Sequence, residues 1–567
     1  MSKARTFLGY NMKGAGVCRP FYYGYNISPF VLRIRGMERE VMAIELTGLS
    51  LPLDSGDAEI REAAAAKLRV RTEDIALLRV KRQSLDSRRR GIHFVYTVHV
   101  ALCDALRQQR LEKEFGAAEE YAPLEIQYGR ERCGQPVVVG AGPCGLFAAL
   151  TLAQHGYRPL LLERGRGIEA RGRDVEALQV SGNLDPESNV CFGAGGAGAW
   201  SDGKLTTRIK DPRAESVLRT LAECGAPREI LTLAKPHTGT EHIRTAVEGI
   251  VKSIRALGGQ VEYESRLTRI AVTDGALRGI WYRKHGLETR VETRAAVLAI
   301  GHSARDTWEA LLGGGAVLLP KPFAVGVRIE HPRERIDRAQ YGAAFGHPRL
   351  GAAEYALKAR HGARGVYSFC MCPGGEVICS ATEPGGLAVN GMSWYARDGE
   401  NSNSAVVVSV GMDDFEPGPL GGMRFAQRWE RAAYREGLFA PAQTQGDFLA
   451  GRVSKKFGAV RPTYRPGVLP ADLRECLPEF VSEGIAAGLR DFGTKLRDFD
   501  MPDAVLTGVE TRTSSPLRTP RGENLQAEGI AGLYPAGEGA GYAGGIVSAA
   551  VDGMRCAEAL MRRCARE

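Results

Sequence analysis

The feature that most constrains this chain is a glycine-rich turn at residues 137–145, Val-Val-Val-Gly-Ala-Gly-Pro-Cys-Gly. The pattern of apolar residues predicts a short buried strand at 136–139, a helix at 146–155 and a second strand at 159–162. Strand, turn, helix and strand therefore fit within residues 136–163. This is the size expected of a βαβ unit that binds a dinucleotide.

Each glycine of the turn has a predicted structural role. Gly140 permits the tight turn, Gly142 leaves room for a pyrophosphate, and Gly145 lets the helix pack closely on the sheet. The unpaired N–H groups of the helix N-terminus would hold the phosphates. Glu163, at the end of the second strand, would bind the ribose hydroxyls of the adenosine. The predicted contact residues of the turn are Gly140, Gly142, Pro143, Cys144 and Gly145.

The turn alone does not choose between NAD and FAD, and Arg164 leaves a 2′-phosphate of NADP conceivable. Two further glycine-rich segments, at 192–204 and 537–545, favour FAD, because distant parts of the chain have to bind the far end of a long cofactor. The residues expected to make these contacts, besides Glu163 and Arg164, are Gly195, Gly196, Ala197, Ser201, Asp202, Gly203, Leu205, Gly301, Gly537, Glu538, Gly544, Gly545 and Ile546.

The chain has 567 residues, too many for one compact core. We predict an α/β protein with an unassigned segment at 1–36, a small α+β domain at 37–120 of β-α-β-β order whose helix is expected at 57–68, and a split Rossmann-like domain at 133–321 and 521–567. Strands at 366–369 and 377–381 and a helix at 472–489, opening on Asp472 as N-cap, belong to a mixed α/β cap domain inserted at 322–520.

Composition excludes several classes of protein. The net charge of +9 is mild for this length, and the basic run at 88–90 is expected to be a solvated face, so nucleic acid is an unlikely but open partner. No apolar run is long enough to span a membrane, and no secretory signal is recognised. Twelve scattered cysteines predict no disulfide framework, so a reducing cytoplasm is the expected location.

Longer strings of residues resemble a known family, the uncharacterised FAD-dependent dehydrogenases, which are related to flavoproteins of the glutathione-reductase type. The resemblance covers residue 42 to the end, and its strings lie at 162–165, 183–190, 192–207, 301–306, 321–331, 367–375, 510–516 and 534–546. It implies FAD, redox chemistry and a split FAD-binding domain of the GR2 type with an inserted cap, but it names no substrate. Ala194 stands where the family usually has Glu.

Three side chains are candidates for the chemistry. Lys204 would stabilise the flavin anion or bind an acidic substrate, or it is an exposed lysine on a turn. His302 would donate a proton, or it is a loop histidine bonded to backbone. Arg512 would clamp a carboxylate, or it forms a structural ion pair. In flavoproteins of this shape the N-terminus of the last helix stabilises the reduced flavin, which assigns that contact to Gly544, Gly545 and Ile546.

Two cysteines with one residue between them, Cys370 and Cys372, lie on a predicted strand and should point to one face. A redox dithiol is conceivable, but packing thiols are favoured because a disulfide between such close neighbours is strained. No second close pair supplies a metal site, so no metal is expected. No Cys-x4-Cys pair follows the glycine turn, which argues against a disulfide reductase.

The predicted function is therefore an FAD-dependent oxidoreductase that passes a hydride between NAD(P)H or a substrate and an unidentified acceptor through flavin N5. NAD(P)H would dock transiently, because no second complete dinucleotide-binding unit is evident. A flavin-dependent monooxygenase or an enzyme that modifies RNA or another macromolecule is an alternative. A non-enzymatic flavin-binding redox sensor is another. The small-molecule substrate and the oligomeric state cannot be inferred from the sequence.

Overall fold

A computed structural model describes residues 43–87, 91–118 and 125–566. The segment at 1–36 and the basic run at 88–90 lie outside the described residues. Residues 43–118 form a three-stranded antiparallel sheet of order β1-β3-β2 with two helices, and their apolar side chains make one small core. The elements are β1 (Ile44–Pro52), α1 (Asp57–Leu68), β2 (Ile75–Asp86), β3 (His93–Leu102) and α2 (Ala105–Phe115).

The β-α-β-β order predicted for this segment is confirmed, and α1 has the predicted bounds. Helix α2 was missed. It begins at Asp104, whose carboxylate accepts from the N–H groups of Leu106 and Arg107, which is the N-cap arrangement. Leu111 is the apolar side chain that α2 buries fully, so its hydrophobic pattern is too sparse to predict a helix.

A five-stranded parallel sheet of order β22-β10-β4-β5-β6 follows, which confirms the Rossmann-like fold. A separate β-meander of three strands shares an apolar core with it. The elements of residues 137–313 are β4 (Val137–Val139), α3 (Pro143–Gln154), β5 (Leu160–Leu162), α4 (Ile168–Ser181), α5 (Arg213–Glu223), α6 (Gly239–Ala256), β6 (Gln260–Glu262), β7 (Ser265–Thr273), β8 (Ala276–Lys284), β9 (Leu287–Glu292), β10 (Ala296–Leu298) and α7 (Arg305–Gly313).

Side chains of the parallel sheet alternate between two cores, as the pleat of a strand requires. Val138, Leu161 and Val297 belong to the core that contains residues of α3, α6 and α12 (Ile546–Arg563). Val137 and Leu160 belong to the core shared with the meander. Both faces of the sheet are thus covered, and its carboxyl-terminal edge is where the glycine turns emerge.

The region between β10 and the last strand contains a seven-stranded sheet of order β13-β14-β17-β12-β20-β18-β19, here called the cap sheet. The elements are β11 (Leu319–Pro320), β12 (Phe323–Pro332), α8 (Arg333–Tyr341), β13 (Lys358–His361), β14 (Arg364–Cys372), β15 (Glu376–Cys379), β16 (Val389–Met392), β17 (Asn401–Val410), α9 (Gly421–Ala433), β18 (Ala440–Thr444), α10 (Gln445–Ala450), β19 (Val468–Pro470), α11 (Glu479–Lys495), β20 (Val505–Glu510), β21 (Leu517–Arg518) and β22 (Leu533–Pro535).

Helix α11 covers one face of the cap sheet at very short range. A Cβ on Gly484 would lie 2.8 Å from a methyl group of Val408, and one on Gly488 would lie 2.5 Å from a methyl group of Val366. The prediction of one helix at 472–489 was wrong in its bounds. Asp472 caps a single 3-10 turn, and α11 begins only after Pro478 because proline favours a helix start over a helix interior.

One disulfide, Cys133–Cys564, joins the segment before β4 to the end of α12. The sequence predicted no disulfide framework, and this single bridge lies between residues 431 positions apart. The other described cysteines are not in disulfides. Within the described ranges, no helix is long and apolar enough to cross a membrane.

Candidate functional site

The glycine turn at 140–145 is shaped by its neighbours. Gly140 has a φ of 100°, and a Cβ there would lie 2.3 Å from the carbonyl oxygen of Ala299. A Cβ on Gly145 would lie 1.8 Å from the carbonyl oxygen of Gly140. Gly142 differs, since its Cβ would approach nothing closer than the Cα of Gly196 at 3.9 Å. Two glycines are thus required by packing, and Gly142 keeps space free before α3.

No side chain caps the N-terminus of α3, and none caps α12. Pro143 occupies the first turn of α3, and Cys144 is buried with its carbonyl 2.0 Å from where a Cβ on Gly553 of α12 would lie. The two helices therefore pack backbone to backbone. Both N-termini offer backbone N–H groups that a negatively charged ligand can bind.

Glu163 holds the turn together. One carboxylate oxygen accepts from the N–H of Ala141 at 2.7 Å, and the other accepts from those of Gly165 and Gly193, each at 2.9 Å. The residue is 5% exposed. Its role in binding a ribose stays a prediction, because the structure shows the carboxylate joining three backbone segments.

Arg164 is engaged by protein side chains. Its guanidinium lies 3.0 Å from Glu187 and 2.8 Å from Asp306, and it stacks 4.1 Å above the ring of Phe192. Two carboxylates therefore compensate its charge. Since a 2′-phosphate would have to compete with both, this geometry does not favour Arg164 as its ligand.

Arg171 was missed by the sequence analysis, although it organises the second glycine-rich segment. It is fully buried, and its guanidinium donates to four backbone carbonyls at 2.6–2.9 Å, those of Asn189, Val190, Ala194 and Gly196. Burial lowers the pKa of Arg171 to about 10. No local pattern distinguishes this arginine from the exposed Arg173 two residues later.

The segment that Arg171 holds contains a 3-10 turn, Gly196–Trp200, and Gly195 before it has a φ of 86°. The 3-10 turn includes Ala197, and Ser201 donates to the carbonyl oxygen of Gly198. A Cβ on Gly203 would lie 2.2 Å from Thr238 Oγ1, and Leu205 is buried. These residues therefore form a rigid wall beside the turn at 140–145.

Lys204 lies in an ion network at the boundary with the cap sheet. Its Nζ is 2.9 Å from Asp202 and donates to the carbonyl oxygen of Met371. Asp202 also receives two hydrogen bonds from Arg397, at 2.9 and 2.5 Å. The prediction of an exposed lysine on a turn is wrong, because Asp202 pairs with Lys204 and holds it against the cap.

His302 follows Gly301, whose added Cβ would meet nothing within 4 Å. Its Nδ1 is 3.6 Å from a carboxylate oxygen of Glu538, and its Nε2 is buried without a hydrogen-bond partner among the described residues. Burial and the charges of Arg512 and Arg305 lower the pKa of His302 to about 3. The histidine is therefore neutral at physiological pH, and its Nε2 is not bonded to any described backbone group. Its role as a proton donor stays a prediction.

Glu538 lies in the third glycine-rich segment, after β22. Burial raises the pKa of Glu538 to about 7, and the nearby Lys321 opposes that rise. A Cβ on Gly537 would lie 2.9 Å from the Cβ of Cys144. Gly544 and Gly545 face open space at the start of α12, where a Cβ would meet only Ser548 Oγ at 3.8 Å. This segment thus leaves free volume beside a carboxyl that can exchange a proton near neutrality.

Arg512 is buried in an ion pair with Glu430 at 3.1 Å, and it also bonds to Thr382 at 2.9 Å. Arg305 of α7 donates two further hydrogen bonds to Glu430, at 2.9 and 2.7 Å. Both arginines hold the pKa of Glu430 well below its usual range, against the effect of burial. Glu430 occupies the position beside Arg512 that was predicted for a substrate carboxylate, so Arg512 has the structural role.

Cys370 and Cys372 do not lie on a regular strand. The register of β14 shifts between Phe369 and Cys372, and Cys370 has a φ of 43°. Such an extra residue is a β-bulge, which breaks the alternation that the prediction assumed. Both are free thiols, and burial raises the pKa of Cys370 to about 11. Nowhere in the described ranges do three His, Cys, Asp or Glu residues cluster as for a metal ion.

The first and third glycine-rich segments and Gly301 emerge at one edge of the parallel sheet, because they follow β4, β22 and β10, which are neighbours and run the same way. The second glycine-rich segment joins them there, since the N–H of Gly195 donates to the carbonyl oxygen of Ala141 at 2.7 Å. There they surround glycines that leave space free, two uncapped helix N-termini and the unpartnered Nε2 of His302. This donor set and free space fit a dinucleotide cofactor with an anionic pyrophosphate.

Comparison with known proteins agrees with that fit. Residues 322–513 match the family model "FAD-dependent protein, C-terminal domain-like", residues 138–182 match "NAD(P)-binding Rossmann-like domain", and residues 43–101 match a domain of unknown function. An uncharacterized protein of Clostridium beijerinckii is 44% identical over 533 residues, which cover 92% of this chain and 99% of that protein.

Solved structures resemble the chain more distantly. A triple mutant of a flavin-dependent brominase is 11% identical, with 75% of this chain and 79% of that chain covered and a TM-score of 0.34. A geranylgeranyl bacteriochlorophyll reductase-like protein of Thermoplasma acidophilum is 13% identical, with 76% and 78% covered and a TM-score of 0.33. At these TM-scores neither structure adds to the assignment.

Proposed function

The chain belongs to a family of FAD-dependent proteins and is an FAD-dependent oxidoreductase, and from that premise we propose that it transfers a hydride between NAD(P)H or an organic substrate and a second acceptor. Bound FAD supplies this chemistry by accepting and releasing a hydride at its N5 atom. The remaining work falls to the protein, which must bind the cofactor, orient it and control protons around it.

The observation that carries the proposal is the pair of uncapped helix N-termini at the same sheet edge. The N–H groups at Gly142–Gly145 would hold the pyrophosphate, with Glu163 fixing the turn beneath it. Those at Gly544–Ile546 would face the part of the cofactor that gains negative charge on reduction. A helix N-terminus stabilises such a charge by ~0.3–2 kcal/mol.

Glu538 and His302 supply polar groups beside this space. The Glu538 carboxyl, with a pKa of about 7, can take up or release a proton at neutral pH. Neutral His302 can donate through one ring nitrogen and accept through the other. Its Nδ1 lies toward Glu538, which leaves the unpartnered Nε2 for the cofactor.

Anaerobic reduction of the purified holoprotein tests the proposal. Mixing with NADH or NADPH should bleach the visible flavin absorption, and the donor that bleaches faster identifies the nicotinamide partner. Reduction by neither donor, together with no reduction by any member of a panel of organic substrates, would contradict hydride transfer. Reoxidation by oxygen with a hydroxylated product would instead support a monooxygenase.

A further inference from the structure

One face of the cap sheet is polar where its central strands meet. Arg328 of β12 lies opposite Ala405 of β17 and opposite Thr507 of β20. Directly opposed residues of a ladder point to the same face, as do residues two apart on one strand. Asn403 therefore shares the face of Arg328. Glu510 shares it as well, because it lies opposite Gly326, two residues before Arg328.

Four side chains of this face, here called the polar cluster, are buried and incompletely bonded. They are Arg328, Asn403, Thr507 and Glu510, each at most 1% exposed. Each keeps one polar atom without a hydrogen-bond partner among the described residues, namely Nη1, Nδ2, Oγ1 and Oε2 in that order. A buried polar atom without a partner costs about 1–3 kcal/mol. Two of the four, Arg328 Nη1 and Glu510 Oε2, form an ion pair with each other, and all four have unused capacity to hydrogen-bond a ligand on this face.

The free atoms of the polar cluster are mostly donors. Arg328 already donates to the Asn403 Oδ1 and to the carbonyl oxygen of Cys370, which orients its free Nη1. That Nη1 lies 3.6 Å from Glu510 Oε2, which is too long for a hydrogen bond. A ligand that fits must therefore supply acceptor atoms.

The charge of the polar cluster depends on Glu510. Burial raises the pKa of Glu510 to about 7, and Arg328 and Arg512 limit that rise. Among the described residues, the Cys370 thiol also faces Glu510, and its raised pKa keeps it protonated at neutral pH. The Cys372 thiol contacts Arg328. Below pH 7 the cluster thus carries one net positive charge and an additional O–H donor. Its complement is a group with two acceptor oxygens and one negative charge.

The bulge in β14 contacts both the polar cluster and the second glycine-rich segment. Arg328 donates to the carbonyl oxygen of Cys370, and Lys204 donates to that of Met371. Phe369, opposite Ala405 and so on the same face as Arg328, is 39% exposed. Phe369 therefore offers an apolar contact on the face that carries the polar cluster.

We propose that Arg328, Asn403, Thr507 and Glu510 bind the carboxylate of an organic acid whose apolar body lies against Phe369. This proposal adds a substrate class to the proposed function. It rests on the proposed function only for the reaction, because binding of the acid requires no turnover.

Benzoate is a suitable probe, and benzamide is its neutral counterpart of the same shape. Each is titrated into the oxidised holoprotein, with the visible flavin spectrum and calorimetry as readouts. Benzoate should bind saturably and benzamide far more weakly. Because ionised Glu510 repels the anion, benzoate affinity should fall about tenfold for each pH unit above 7.

Variants separate this site from a general pH effect. E510Q should bind benzoate with no such dependence on pH. E330Q is the matched control, since Glu330 is a buried carboxyl on the same strand face whose oxygens are bonded to Thr463 and Asn401, and it should keep the pH slope of the parent. T507V removes one donor at nearly constant volume, and it should weaken binding roughly three- to tenfold.

Three results would overturn the proposal. They are no saturable binding of benzoate or of the smaller acetate, equal affinity for benzoate and benzamide, or an unchanged pH slope in E510Q. Should E510Q fail to retain flavin, an unweakened T507V with normal flavin content refutes the site instead. Failure of flavin reduction by every donor would refute the proposed hydride transfer while leaving benzoate binding unaffected, so the two failures are distinguishable.

Discussion

Replacing Arg171 by lysine should greatly weaken FAD binding while leaving the charge of the chain unchanged. The guanidinium donates to four carbonyls around the second glycine-rich segment, at 2.6–2.9 Å. A lysine ammonium is a single compact centre that cannot span that set. At least two hydrogen bonds to a charged group would be lost, each contributing about 1.5–3 kcal/mol. The segment should therefore lose about 3–6 kcal/mol of local stability.

The assay is titration of apoprotein with FAD, followed by quenching of flavin fluorescence. If the segment must be ordered to hold FAD, even the lower figure of about 3 kcal/mol corresponds to a Kd roughly a hundredfold higher. R173K is the matched control. Arg173 lies on the same helix and pairs with Glu169, but their side chains are 68% and 89% exposed, so the change should alter the Kd less than about threefold.

An unchanged Kd in R171K would refute the reasoning. It would mean either that lysine with ordered water replaces the guanidinium, or that the segment at 189–196 does not contribute to the FAD site. Circular dichroism separates a specific loss of FAD binding from general unfolding, because unfolding of R171K would also remove the helical signal.

Three other predictions follow from the same structure. Gly142→Leu should give colourless protein because its side chain would fill the space before α3, whereas Gly172→Leu, where a Cβ meets nothing within 4 Å, should stay yellow. Glu430→Gln should lower the Tm at pH 7, and by progressively less as the pH falls from about 4.5 toward the low folded pKa, because a carboxyl whose pKa is lowered by folding contributes fully above its unfolded pKa and loses that contribution between the two pKa values. Reduction of the disulfide, or Cys133→Ser, should lower the Tm, with about 6 kcal/mol as an upper bound from loop entropy, and differential scanning fluorimetry with and without reductant checks it.

The parts of the fold that the sequence predicts are those determined by neighbours along the chain. The turn at 140–145 and the helix after it are recognisable because packing demands glycine at fixed spacings, as at Gly140 and Gly145. Helix α1 was predicted with its bounds because its apolar residues and its start at Gly56 lie within one short window. Pro478, by contrast, was a local signal that should have moved the predicted start of α11.

The candidate site was only half predictable, since its remaining members are defined by partners far away in sequence. His302 lies beside Glu538, and Arg512 is neutralised by Glu430 of a different helix. The roles of Arg328 and Glu510 depend on the register between β12 and β20. No periodicity or spacing encodes such pairings, so the sequence could name Arg512 and His302 but not their partners.

Two buried ion networks join the inserted cap region to the rest of the chain. In one, Arg397 of the cap donates to Asp202 of the second glycine-rich segment, and in the other Arg305 of α7 donates to Glu430 of α9. All four side chains are less than 9% exposed. Removing one partner of either pair would leave an uncompensated buried charge, at a cost of about 3–5 kcal/mol.

The two ion networks hold the cap against the second glycine-rich segment and α7. Phe369 and Cys370 are exposed residues of β14, beside the polar cluster. If the proposed acid site is correct, the substrate should pass the ring of Phe369, which should then limit which organic acids reach the polar cluster. A series of aryl carboxylates of increasing bulk should show a sharp loss of binding at one size, and a variant Phe369→Ala should shift that limit upward.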